Sequence, residues 1–240
     1  MNENQNIPWK RLSVEAAAIV ASILLAFSID AWWDERRDSQ RESEILVALK
    51  NDFQQNRDIL QDTLAFNVDS LETVRYFSDQ IAESQVISAD FDLLYARSIQ
   101  LRFFQPVSAT YESLISGGDF ALIRNDASRA ALVKWGTAIE WNNRAEGYLT
   151  KQFMDEIYPF ATRTSSISRM LAGANVVDDP VTMAFEHDRE LLMGNREFHN
   201  LLATRALFLK YLVASNRDLL MITDQILSES TDPHHSRVDD

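Results

Sequence analysis

No cysteine occurs among the 240 residues, which removes disulfide staples, thiolate zinc sites and cysteine nucleophiles from consideration. Turn-forming residues are scarce: 6 glycines and 5 prolines punctuate the chain, and between Pro8 and Pro106 there is neither. Nothing in that stretch forces a turn, so long helices are expected. Basic residues are also few, 23 Lys and Arg against 36 Asp and Glu. The net charge of -13 repels a phosphate backbone, and no basic cluster interleaved with aromatics offsets that field. Nucleic acid is therefore not an expected partner. No repeat of fixed period supports a solenoid.

Signatures of chemistry are missing too. The histidines are His187, His199, His234 and His235, and none completes a Glu-x-x-His pair. Glu197 and His199 are two residues apart and project in different directions on a helix. There is no Gly-x-Ser-x-Gly elbow, and Ser116 to Gly118 reads better as a helix stop. Neither Gly-x-x-x-x-Gly-Lys nor Gly-x-Gly-x-x-Gly occurs. No metal, cofactor or catalytic residue is expected, and the chain reads as a protein other than an enzyme.

What is present suits a packed domain: 46% of residues are hydrophobic and 25% charged, too apolar for a mainly disordered chain. The length allows one anchored domain or at most two small ones. The longest apolar run, Leu12 to Ile29, reads LSVEAAAIVASILLAFSI. Extended through Trp33 it makes roughly 33 Å of helix at about 1.5 Å per residue, the thickness of a hydrocarbon core. The expectation is a short tail (1–11) and a transmembrane helix (12–33) in the lipid bilayer; the competing reading is a buried core helix. A cleaved signal sequence fits less well, because the run ends in Asp30, Trp32, Trp33 and DERRD rather than a small-residue site. Trp9, Lys10 and Arg11 at one end and Trp32, Trp33, Arg36 and Arg37 at the other are placed as interface anchors.

Glu15 and Asp30 are costly in hydrocarbon, but each lies near an end, where it can reach the interface. A second reading begins from spacing. Glu15, Ala18, Ser22, Ala26 and Asp30 share one helix face, a small and polar stripe suited to close packing in a homo-oligomer or with a membrane-complex partner. Orientation is open on two counts. Basic residues after the span, including Arg41 and Lys50, argue for a cytoplasmic domain, whereas a short tail before an uncleaved anchor commonly stays inside. The expectation is a single-pass protein of the bacterial inner membrane with a periplasmic domain.

Beyond the anchor, Ile45, Leu46, Leu49, Phe53, Leu60, Leu64, Val68, Leu71, Val74, Phe77 and Ile81 recur at helical intervals. One long amphipathic helix (about 38–84) is predicted, with a break possible at Phe66 to Asp69, because Asn56 and Asn67 fall near the apolar seam. Gln85 to Ala89 reads as a connection, and Phe91 to Leu101 as a shorter helix ending before Pro106. A helix, glycine corner and second helix follow over about 108–158. Tyr111, Leu114 and Ile115 lie on the first; Gly117 or Gly118 stops it; Phe120, Leu122, Ile123 and Arg124 lead to an N-cap at Asn125 or Asp126. Leu132, Trp135, Ile139, Ala145, Leu149, Phe153 and Ile157 mark the buried side of the second, which Pro159 limits. A loop (162–180), a closing helix (about 195–228) and a disordered tail (229–240) complete an extramembrane domain over 34–228. The fold class is all-α: the transmembrane helix continuing into an elongated helical bundle.

Two segments taken together, ASILLAFSIDAWWDERRDSQRE and TYESLISGGDFALIRNDASRAAL, resemble an uncharacterised family of bacterial single-pass, N-terminally membrane-anchored helical proteins. The resemblance covers about a third of the chain and implies one anchor with helices outside the membrane. Tyr111, Leu114, Gly118, Leu122, Ile123 and Arg124 match the family's tyrosine helix and glycine turn. No activity comes with it. Two functions are consistent with these features: a membrane-tethered interaction or scaffold protein, or an extracytoplasmic sensor of a small-molecule ligand. The second draws on Phe103, Phe104, Tyr111, Phe120, Trp135 and Trp141, aromatics that could line a pocket but at helical spacing more often make core.

Overall fold

The computed structural model describes residues 9–83, 90–168, 170 and 189–229, with the side chains of 9–12 excepted. Every regular element among them is helical. By contacts the chain forms two compact units, Met1–Leu49 with Thr110–Arg124, and Lys50–Ala109 with Asn125–Asp240.

Helix α1 runs from Trp9 to Ala82 and passes through both units. The absence of glycine and proline permits this. The helix begins three residues before the predicted anchor, continues past residue 33 without interruption, and does not break at 66–69. Asn67 leaves the helix intact because its amide bonds to a distant side chain and does not compete for nearby backbone groups. The predicted end at 84 becomes Ala82, and the connection at 85–89 lies outside the described residues.

The first unit contains the anchor part of α1, helix α3 (Ala109–Gly117) and a 3₁₀ turn (Asp119–Leu122). Gly118 joins the last two with φ of 77°, a left-handed conformation that a side chain would strain; the predicted helix stop is therefore a true backbone requirement.

The second unit holds the rest of α1 with α2 (Phe91–Ile99), α4 (Asp126–Gln152), α5 (Tyr158–Thr164), α6 (Arg189–Met193) and α7 (Arg196–Glu229). Asn125 is the N-cap of α4, its side chain accepting from Ala127 and Ser128 N–H. Asn195 does the same for α7 through Phe198 N–H, 3.1 Å. The core collects Leu71, Val74, Phe77, Tyr95, Leu149, Leu209 and Leu212, with Phe198 at its aromatic centre. The Phe198 ring lies 5.0 Å from Tyr95, 5.9 Å from Phe77 and, stacked, 5.8 Å from Phe160.

Pro159 does not end the helical path. A π turn over Phe153–Ile157 precedes α5, in which proline occupies one of the first two positions. The wide turn reroutes the hydrogen-bond ladder where proline lacks an N–H and its ring would strike a carbonyl four residues back. The predicted loop is also shortened, because Thr162 and Thr164 belong to α5; its part at 171–180 lies outside the described residues. Glu229 ends α7 as a helical residue, and the expected tail at 230–240 likewise lies outside.

Candidate functional site

Three constellations combine charge or polarity with a specific place in the fold. The first is the flank of the apolar run. Trp32 and Trp33 are exposed and meet edge to face at 5.3 Å, Arg36 lies 5.8 Å over the Trp32 ring, and Arg37 pairs with Asp34 at 3.2 Å. Aromatic faces and guanidinium groups are thus gathered in two turns of helix. Trp9, Lys10 and Arg11 are helical, and their side chains lie outside the described residues. Along the predicted packing face, Glu15, Ala18, Ser22, Ala26 and Asp30 are all exposed, and the Ser22 hydroxyl donates to Ala18 O at 2.8 Å.

The second constellation is the glycine corner of the first unit. Asp119 accepts from Arg41 at 2.6 Å. Arg124 pairs with Glu35 at 2.6 Å and with Glu42 at 3.5 Å, while its backbone N–H donates to the same Glu42 carboxylate at 2.6 Å. These bonds clasp the corner against the charged turns that follow Trp33. Leu114 and Ile123 are buried, Tyr111 and Phe120 are half-buried, and Gly117 and Gly118 are exposed. Packing and turn formation account for these residues, and Arg124 adds the clasp. Sequence spacing alone could not reveal partners 78 and 82 residues apart.

The third constellation is a polar ladder inside the second unit. Asn67 Nδ2 on α1 donates to Asn216 Oδ1 on α7 at 2.9 Å, and Asn216 Nδ2 donates to Asn142 Oδ1 on α4 at 2.8 Å. Asn142 Nδ2 then donates to Glu146 Oε1 at 2.7 Å, which also accepts from Phe104 N–H at 2.9 Å. Burial pushes the Glu146 carboxyl above the usual range, and the hydrogen bonds from Phe104 and Asn142 partly oppose that. Asn56 completes a separate two-way clamp on Val107, donating to its carbonyl and accepting from its N–H. Nearby in kind is Arg205, fully buried, whose guanidinium donates to the carbonyls of Ser98, Ile99 and Gln100 at 3.3, 3.0 and 2.8 Å. It closes the C-terminal end of α2, where carbonyls have no helical partner. Burial lowers its pKa to about 10.

Of these polar residues the sequence marked only Asn56 and Asn67. Asn142 and Asn216 stand on the buried sides of their helices, Asn142 three residues before Ala145 and Asn216 four after Leu212, which is the signal that would have found them. Of the aromatics that the sequence placed in core more readily than in a pocket, Phe104 and Trp135 are core residues, whereas Trp141 is exposed. His199 bonds to Met193 O at 2.7 Å, a local contact at the start of α7. A hollow of about 820 Å³, open to solvent, is bordered by Asp155, Arg163, Glu197 and Asn200.

Comparisons with protein families, with characterised proteins and with solved structures return no match to this chain. The class is thus defined by the fold itself: an all-α protein with, among the described residues, one N-terminal helix long and apolar enough to cross a membrane.

Proposed function

We propose that this chain is a membrane-tethered interaction or scaffold protein whose residues 12–33 remain in the bilayer as a single anchor. One observation carries the reading: the most apolar 18-residue window of α1 has a mean hydropathy of 1.9, and none of it is buried. Val14, Ile19, Val20, Ile23, Leu24, Leu25, Phe27 and Ile29 stand bare. At roughly 25 cal/mol per Å² of apolar surface, removing them from water is worth on the order of 10 kcal/mol. The second unit builds a buried apolar core of its own, so the bare run is not a consequence of loose packing.

The remaining helices form a bundle outside the lipid, periplasmic at a bacterial inner membrane. Membership of the anchored helical family is part of the proposal; its support is that the Arg41, Glu35 and Glu42 bonds to Asp119 and Arg124 join the two segments that carry the resemblance. Self-association, or assembly into an envelope complex, uses the stripe from Glu15 to Asp30 together with surfaces of the helical domain; no catalytic step is included. Crosslinking of the full-length chain in native membranes tests this. A discrete dimer or a reproducible crosslinked partner is expected, and recovery of monomer alone at every crosslinker length contradicts it.

A further inference from the structure

Large apolar side chains stand among charged ones on the outward sides of α4 and α7. Val133 and Trp141 on α4 are 55% and 61% exposed, and Met221 on α7 is 65% exposed. Along α7, Leu207, Tyr211, Ala214, Asp218, Met221 and Gln225 succeed one another at intervals of four, three, four, three and four. That is the spacing of a helix seam built to meet another helix, and it faces away from Leu209, Leu212, Asn216 and Leu219, which fill the core. Helix α7 therefore has two seams, one of them covered.

Between the two helices runs a groove of about 590 Å³, with Val133, Lys134 and Trp141 on one wall and Asp218, Met221 and Ile222 on the other. Lys134 and Asp218 are exposed, and among the described residues neither has an ion-pair partner. We propose that this groove is the interface with a second copy of the chain, α4 of each copy lying on α7 of the other and Lys134 of each pairing with Asp218 of the other.

The charge arrangement selects that geometry. Lys134 and Asp218 stand on opposite walls, so a two-fold axis along the groove carries Lys134 of each copy to the wall that holds Asp218 of the other. The surface is self-complementary although the chain as a whole carries a net charge of -13, which disfavours association through faces of one sign. The inference rests on the tethered reading, because two copies confined to one bilayer meet at a raised effective concentration.

Charge exchange in the full-length protein in mild detergent tests it, with association read from the protein mass by light scattering. Wild type is expected as a dimer. Lys134→Asp and Asp218→Lys are each expected to weaken association tenfold or more, and the double exchange to restore it. Because the chain has no cysteine, Met221→Cys carrying a photocrosslinker gives a second readout in membranes, where an adduct of twice the chain mass is expected. Monomeric wild type, single exchanges without effect, a double exchange without rescue, or an adduct only to a different protein or to lipid overturns the interface. A wild-type dimer in membranes indifferent to all three exchanges overturns this surface alone; a chain recovered in the soluble fraction without detergent overturns the tethered reading beneath it.

Discussion

One helix, α1, carries two opposite solutions to the same physical problem. Over its first part, apolar side chains from Val14 to Ile29 are bare; over its last part, polar Asn56, Thr63, Asn67 and Ser70 are buried among apolar ones. In water both would be unfavourable, the first because apolar surface stays hydrated and the second because amides lose their solvent. The second is resolved within the protein, since Asn67 and Asn56 find side-chain and backbone partners. The first has no such resolution among the described residues, and the proposed anchor supplies one in lipid. Bare apolar surface is thus informative on a helix whose buried amides, Asn56 and Asn67, both find partners.

The largest expected effect lies in the apolar part of the second unit. Phe198→Ala removes the ring that Phe77, Tyr95 and Phe160 surround, and should lower stability by about 3–5 kcal/mol in denaturant unfolding of the detergent-solubilised chain. A loss below about 1 kcal/mol would mean that Phe198 is not at the centre of the core. Next comes the polar ladder. Asn216→Ala strands the Asn67 donor and the Asn142 acceptor at once, with an expected cost of about 2–4 kcal/mol. A neutral result would show that water or a rearranged side chain replaces Asn216.

Glu146 sharpens the contrast through pH. Burial holds its folded pKa above the ordinary value of 4.5, so the folded chain binds this proton more tightly than the unfolded chain does. The ionised carboxylate therefore costs stability above the folded pKa. That cost diminishes as pH falls through it and vanishes below the ordinary value. Because the group is partly exposed, the change should amount to less than about 1 kcal/mol. In Glu146→Gln the amide oxygen can still accept from Asn142 and Phe104, and this pH-dependent increment should disappear; unfolding midpoints of both proteins at about pH 7 and pH 4.5 measure it. An equal pH response in both would rule out Glu146 as its source. The smallest effect belongs to the corner clasp. Arg124→Ala should cost about 0–1 kcal/mol, since its side chain and that of Glu35 are largely solvated. A loss of several kcal/mol in the same unfolding assay would show the clasp to be far stronger than exposed ion pairs usually are.

Local signals in the sequence were legible, and signals that depend on distant pairing were not. The unbroken α1 follows from missing glycine and proline, the stop at Gly118 from its tolerance of positive φ, and the start of α4 from the Asn125 cap. Asn67 was visible as an anomaly on an apolar stripe, but its meaning depends on Asn216, 149 residues away. Arg205 carried no local mark at all, because its partners are backbone carbonyls 105 to 107 residues distant. Pro159 misled for a related reason: proline ends an α-helical ladder, but a π turn just before it lets the helical path continue. The outer seam of α7 was readable in principle, though its residues interleave with a stronger inner stripe.

Alkaline carbonate extraction of membranes containing the full-length chain is the most direct measurement. If residues 12–33 lie in lipid, the protein stays in the membrane pellet and enters solution only with detergent. Quantitative release into the supernatant without detergent would contradict the anchor, and with it the account of why the apolar run of α1 is left bare.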